Sequence, residues 1–136
     1  MADYVRSKNI KVFLGGTCSG YRWRNDLIPM LKCDYYNPMT RGWGESQRQK
    51  EVHERETADF VLYTITNHIR GVYSIAEVVD DSNKRPEKTL FCNLYNKEDG
   101  MSHSMAAVER LLVNNGIHVF HSLEEVAEFL NSQKGN

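Results

Sequence analysis

The residues in this chain best suited to chemistry are a glycine-rich turn and a few carboxylates set among apolar runs. Gly15-Gly16-Thr17-Cys18-Ser19-Gly20 follows the run IKVFL. Glycines let backbone approach a ligand closely, and a following helix start offers free N–H groups to a phosphate or a sugar. It is not a Walker A loop, because Tyr21-Arg22 follows Gly20 where Lys and Ser or Thr would stand, and it is not GxGxxG. A plain strand-to-helix turn is the alternative.

The second stretch is Gly71-Val72-Tyr73-Ser74-Ile75-Ala76-Glu77. The S-x-x-E spacing of Ser74 and Glu77 fits a capping box. It also fits a carboxylate kept ionised in the first turn of a helix, as attack on a sugar carbon requires. Asp59 opens an apolar run; it is either a turn residue or, on a strand that leads toward Glu77, a group that orients a base or donates a proton. Asn37 precedes Pro38, and Asn93, Asn96, Ser102 and Ser104 form a further polar segment, where either serine could cap a helix or meet a phosphate or base.

Other chemistries lack their residues. His53, His68, His103, His118 and His121 do not cluster with Cys or Asp at metal-ligand spacing, so neither metal nor cofactor is expected. No G-x-S-x-G elbow occurs. Cys18 lies in the glycine turn near a helix start, but Cys18, Cys33 and Cys92 are odd in number and lack CxxC spacing, which points to free thiols in a reducing compartment, the cytoplasm. Trp23 reads as core; Trp43 is open to a stacking role.

These residues must be positioned by elements that the hydrophobic periodicity outlines. Strands are expected at Ile10–Leu14, Cys33–Tyr36, Asp59–Ile65, Lys88–Leu94 and Ile117–Phe120. Helices are expected over Tyr21–Lys32 (Trp23, Leu27 and Leu31 inward), Val72–Asp80 (Val72, Ala76 and Val79 inward), Ser104–Asn114 (Met105, Val108, Leu111 and Leu112 inward) and Ser122–Asn131. The last opens with the S-x-x-E box Ser122 to Glu125. Glu45–Thr57 reads as a polar helix, solvated or covered by a partner subunit, with Lys50–Glu54 and Glu51–Arg55 able to pair along it.

Strict alternation of strand and helix implies a three-layer α-β-α domain spanning residues 1–136, with a five-stranded parallel sheet in flavodoxin- or Rossmann-like order. Ligands of such sheets bind beyond the carboxyl ends of the strands, which nominates the Gly15–Gly20, Asn37–Trp43, Thr66–Glu77 and Asn93–Ser104 segments. Seventeen basic and 18 acidic residues give a net charge of -1, which leaves no footprint for a nucleic-acid polymer or a membrane surface. No apolar run reaches the ~18 residues of a membrane span, and the polar start MADYVRSKN lacks a signal peptide's apolar core.

With these segments in view, the chain resembles the nucleoside 2-deoxyribosyltransferase superfamily, which includes the 2'-deoxynucleoside 5'-monophosphate N-hydrolases. The carriers are KVFLGGTCSG, YYNP with Trp43, ADFVLYTI, GVYSIAEVVDD followed by NKRPEKTLF, and HSMAAVERLL. The resemblance implies that Glu77 is the catalytic carboxylate that attacks the anomeric carbon and that Asp59 handles the proton at the base. It further implies that Gly15, Gly16 and the turn that follows them, Thr17, Ser19 and Gly20, lie under the sugar or phosphate and that Ser104 meets a phosphate; Asn37, Tyr73, Ser74 and Asn93, in the segments beyond the strand ends, are further candidates for lining the ligand. The implied reaction is N-glycosidic cleavage or transfer on a 2'-deoxyribonucleoside or its 5'-monophosphate. The implied assembly is a homodimer or larger, with Ser104 reaching a neighbour's phosphate site. Three departures stand out. Val12 and Phe13 replace a tyrosine before the glycine turn. Gly71 and Glu77 are six residues apart rather than four. Ile69-Arg70 stand where transferases carry a second aspartate. They keep open a nucleotide-binding sensor without catalysis, and an NAD or ADP-ribose glycohydrolase is a further alternative.

Overall fold

A computed structural model describes residues 9–18, 22–39, 44–69, 72–95 and 101–134. Five strands form one sheet: β1 (Lys11–Gly16), β2 (Asp34–Tyr36), β3 (Phe60–Ile65), β4 (Thr89–Asn93) and β5 (His118–Phe120). Their order is β2-β1-β3-β4-β5, and every neighbouring pair is parallel. The helices are α1 (Trp23–Leu27), α2 (Glu45–Thr57), α3 (Tyr73–Lys84), α4 (Ser102–Asn114) and α5 (Leu123–Asn131). The expected three-layer parallel α/β fold is therefore present.

Period-two alternation sends the strand side chains to two cores. Val12, Leu14, Leu62, Leu90 and Cys92 pack with Trp23, Leu27, Val126 and Leu130 of α1 and α5. Phe13, Val61, Tyr63, Ile65 and Phe91 pack on the opposite face with Val78 of α3 and Met105 and Leu112 of α4. Continuous burial along β3 is what a strand covered on both faces requires.

Three elements differ from expectation. Helix α1 is short and runs into a 3-10 turn at Ile28–Met30, because Pro29 has no N–H for an α-helical bond and its ring crowds the preceding turn. Helix α3 is a turn longer than expected and rotated: Val72 and Ala76 are exposed, while Val78, Asp81 and Ser82 face inward. Hydrophobic periodicity misjudges this face because two polar residues are buried there. In α4, Met105 and Leu112 are buried as expected, but Leu111 is exposed. The α5 cap forms as read: Ser122 Oγ accepts from the Glu125 N–H at 3.1 Å, and the Glu125 carboxylate accepts from the His121 N–H at 2.9 Å. No described helix is long and apolar enough to cross a membrane.

Gly16 closes β1 with φ +117°, and a Cβ there would collide with the Thr64 carbonyl oxygen. The obstacle is backbone, so it cannot rotate aside. Gly116 also has positive φ (+88°), but open space surrounds its would-be Cβ. Gly16→Ala should therefore lose roughly 3 kcal/mol or more in urea unfolding, whereas Gly116→Ala should lose only about 1–2 kcal/mol. Equal losses would contradict the close approach of β1 to β3.

Candidate functional site

The order β2-β1-β3 puts the switch point between β1 and β3, where α1 leaves to one face and α2 and α3 lie on the other. At its carboxyl edge the glycine turn is tightly stapled. The Thr17 N–H donates to the Thr64 carbonyl at 2.9 Å, and Thr17 Oγ1 accepts from the Thr66 N–H at 3.0 Å. Trp23 Nε1 and Arg24 Nη1 both donate to the Thr17 carbonyl, at 2.9 and 2.8 Å, and Arg24 Nε donates to Leu14 O at 2.9 Å. Burial lowers the Arg24 guanidinium to about 10, with Cys18 opposing that shift. Ser19 and Gly20 lie outside the described residues, as do Trp43, Gly71 and Asn96.

Gly15 points to the other face, where its would-be Cβ lies 3.1 Å from the Tyr63 ring. A side chain there would crowd that ring. From Tyr63 a polar chain runs through the layer beneath α2 and α3. The Tyr63 hydroxyl donates to Asp81 Oδ2 at 2.6 Å, Arg85 Nε donates to Asp81 Oδ1 at 2.9 Å, and Arg55 Nε is 3.4 Å from Oδ2. Arg55 Nη1 then donates to Glu77 Oε2 at 2.8 Å. The Asp81 side chain is fully buried and that of Glu77 is 22% exposed. Glu77 therefore sits in the seam between α2 and α3, only partly open to solvent.

This placement changes the electrostatics read from sequence. Val72 takes the cap position of α3 with no side-chain cap bond, and no acidic residue lies in the first turn. Glu77 is in the second turn, so Ser74 and Glu77 form no capping box and the dipole end is not its chief influence. Burial pushes the Glu77 carboxyl above its ordinary 4.5; Arg55 pulls it down in part, and the charges of Asp81 and Glu51 push it up again. For Arg55, burial alone would lower the pKa, but Tyr63, Asp81, Glu77 and Tyr73 outweigh it and hold the guanidinium above its usual value. Burial and the Asp81 bond drive the Tyr63 phenol well above its usual range.

Helix α2 explains how a nearly all-polar segment docks here. Its half-buried residues Gln47, Glu51, Glu54 and Arg55 fall on one face. Gln47 Nε2 donates to the Tyr36 hydroxyl at 3.2 Å, and Lys11 Nζ donates to both Glu54 oxygens at 2.9 Å. The pairs expected along the helix give way to these: Glu54 pairs with Lys11 and Arg55 with Glu77.

The other nominated residues spread along the carboxyl edge, with one exception. Asn37 Oδ1 accepts from the Met39 N–H at 3.0 Å after β2. Asn93 closes β4, donating to Glu109 at 3.0 Å and accepting from the Tyr95 N–H. Tyr73 is 73% exposed at the opening of α3, beside half-buried Ser74. Ser104 is exposed in the first turn of α4, whose cap position is Met101 with no side-chain bond, so neither Ser102 nor Ser104 caps it. Asp59 is the exception. It precedes β3 at the amino edge, accepting from the Lys11 N–H at 2.8 Å. Its charge acts on Lys88, and no described contact joins it to Glu77. A groove of about 590 Å3 lies between α1 and α5, lined by Asn25, Asp26, Pro29, Leu94, His121 and Glu124 among others. It is on the opposite face from Glu77 and contains none of the nominated residues. No cluster of metal-ligating type occurs among the described residues.

Glu51, Arg55, Tyr63 and Asp81 were not singled out as site residues from sequence. A polar helix with a half-covered face is the signal that could have found Glu51 and Arg55. Nothing local marks Asp81 as buried.

A glycine turn thus lies at the switch point of a five-stranded parallel α/β sheet, with a half-buried glutamate on the helix after β3, and open sheets of this class bind their ligands at the carboxyl edge. Residues 9–93, well over half the chain, match the family described as nucleoside 2-deoxyribosyltransferase-like, and the chain belongs to that family. The match includes Gly15, Gly16, Thr17, Asn37, Asp59, Tyr73, Ser74, Glu77 and Asn93 and ends before Ser104. No curated protein matches the chain.

Proposed function

We propose that the protein cleaves, or transfers across, the N-glycosidic bond of a 2'-deoxyribonucleoside or its 5'-monophosphate, with Glu77 attacking C1'. The observation that carries this reading is the Glu77 carboxylate, within the family-matched region, set in the α2–α3 seam and oriented by Arg55 at 2.8 Å. A sugar without a 2'-hydroxyl reaches an oxocarbenium-like state more readily, and a positioned carboxylate stabilises or traps it. Arg55 keeps one Glu77 oxygen engaged and aims the other. The turn at Gly15–Thr17 holds the 5' end, and Tyr73 and Asn93 border the base and sugar. The protein acts in the reducing cytoplasm as a homo-oligomer; its three free thiols support the first statement, and light scattering checks the second.

Incubation with 2'-deoxynucleosides and their 5'-monophosphates, followed by chromatography, should show free base, and an added second base should appear as a new nucleoside if transfer occurs. Tight nucleotide binding without base release would overturn the reading in favour of a sensor. Release from ribo- but not deoxyribo-substrates would favour the NAD or ADP-ribose class.

The pH profile follows from the seam. A nucleophile must be ionised, and burial raises Glu77 above 4.5. Activity should therefore rise with pH along an acid limb lying above that value. Arg55→Met removes the cation that draws Glu77 down, so the limb should move to higher pH. A limb that stays in place would show that Glu77 does not set it.

A further inference from the structure

The α2–α3 seam contains a second acidic side chain that the reaction above leaves unused. Glu51 lies one turn before Arg55 on α2, and i, i+4 neighbours share a helix face. That face is the covered one: Glu51 is half-buried, while Lys50, Val52 and His53 around it are exposed. Arg55 on the same face bonds Glu77 at 2.8 Å. Both α2 and α3 run from the carboxyl edge of the sheet toward the amino edge. Side chains on a helix lean toward its N-terminus, so Glu51 and Glu77 both lean toward the edge where ligands of parallel sheets bind. The Glu51 charge is one of those that push the Glu77 carboxyl up. The groups facing the pair are Arg55 from α2, Tyr73 and Asp81 from α3, and Tyr63 from β3.

We infer that Glu51 is the second carboxyl of the site, the group that gives a proton to the departing base and takes one from the incoming water. This rests on the reading of Glu77 as the nucleophile. Two carboxyls at one sugar, one attacking and one exchanging protons, are what retaining glycoside cleavage uses. The roles separate because Arg55 bonds Glu77 directly and favours its ionised form, so the one proton that two neighbouring carboxyls share falls to Glu51. In the first step the C1'–N bond breaks, its electron pair goes to the base, the Glu51 proton joins the base, and a Glu77 oxygen bonds C1'. In the second, Glu51 takes a proton from water, the water oxygen bonds C1', and the ester to Glu77 breaks. Both carboxyls return to their starting states. In a transfer reaction, an incoming base replaces the water. Asp59, at the amino edge, is poorly placed for this work.

The test compares Glu51→Gln with wild type on a purine 2'-deoxynucleoside 5'-monophosphate and on its 7-methyl counterpart, whose cationic base departs without needing a proton. Single-turnover base release is the readout, and thermal unfolding checks that the variant is folded. Base release from the ordinary purine should fall by roughly 10²–10⁴-fold, the range for a lost general acid. Release from the 7-methyl substrate should fall less than about tenfold, since that step needs no acid. Equal losses on both substrates would assign Glu51 to positioning alone and overturn the inference, as would wild-type rates on both. If Glu77→Gln cleaves both substrates as wild type does, or wild type cleaves neither, the underlying reading fails instead.

Discussion

Glu77→Gln should lower kcat for base release by roughly 10⁴-fold while leaving the fold intact, equivalent to about 5 kcal/mol of lost transition-state stabilisation. Glutamine keeps the shape of the side chain and an oxygen to accept from Arg55 Nη1, a bond now 2.8 Å long. What it loses is the negative charge and the nucleophilic oxygen. Glu77 is partly buried, its side chain 22% exposed, so water replaces neither. KM should change little, because the loss falls on the transition state and not on ground-state binding. Unchanged turnover in a protein with unaltered circular dichroism would mean that Glu77 is only the partner of Arg55.

The second large effect concerns stability. Asp81 is fully buried and gathers three groups: the Tyr63 hydroxyl at 2.6 Å, Arg85 Nε at 2.9 Å and Arg55 Nε at 3.4 Å. Asp81→Ala strands a buried phenol, takes from Arg85 the carboxylate it bonds, and leaves Arg55 with Glu77 alone. Removing one partner from a buried charge network costs about 3–5 kcal/mol. Tyr63→Phe leaves Asp81 its two arginines and should cost only about 1–1.5 kcal/mol. Urea unfolding of the two variants measures both. The Asp81 change should also disturb activity, since Arg55 would then be held by Glu77 alone. A loss below about 1 kcal/mol for Asp81→Ala would show that the network contributes nothing net.

The sheet was legible because its signal is local. Runs such as FVLYTI and TLFCN are long enough to span a covered sheet, and each is followed by a helical pattern. The parallel order then follows from right-handed crossovers. Pro29 was visible too, yet the regular spacing of Trp23, Leu27 and Leu31 argued for a longer helix than proline allows. The face of α3 was not legible, because a hydrophobic reading places Val72 and Ala76 inward and ends the helix at Asp80, one residue before Asp81. Asp81 is buried because Tyr63, Arg55 and Arg85 meet it there, and those partners lie in three different parts of the chain.

The candidate site divides the same way. Glu77 stood out because a serine and a glycine mark the approach to its helix. The glycine turn stood out because glycine is rare where backbone need not come close. Arg55 and Glu51 were hidden inside a run that reads as solvated surface; only the meeting of α2 with α3 shows what that polar face is for. Asp59 was drawn into the site by the family resemblance and by its position at the start of a strand that leads toward Glu77. A parallel strand of about six residues spans ~20 Å, which sets Asp59 at the opposite edge from the glycine turn.

The distance between position 77 and a bound sugar is the most direct measure of the central claim. A crystal of Glu77→Gln soaked with a 2'-deoxynucleoside 5'-monophosphate should hold the ligand at the carboxyl edge. Its C1' should lie about 3–3.5 Å from the substituted side chain, the separation of reacting atoms in a near-attack arrangement. A sugar seated in the groove between α1 and α5, or one whose C1' is turned out of reach of position 77, would contradict the assignment.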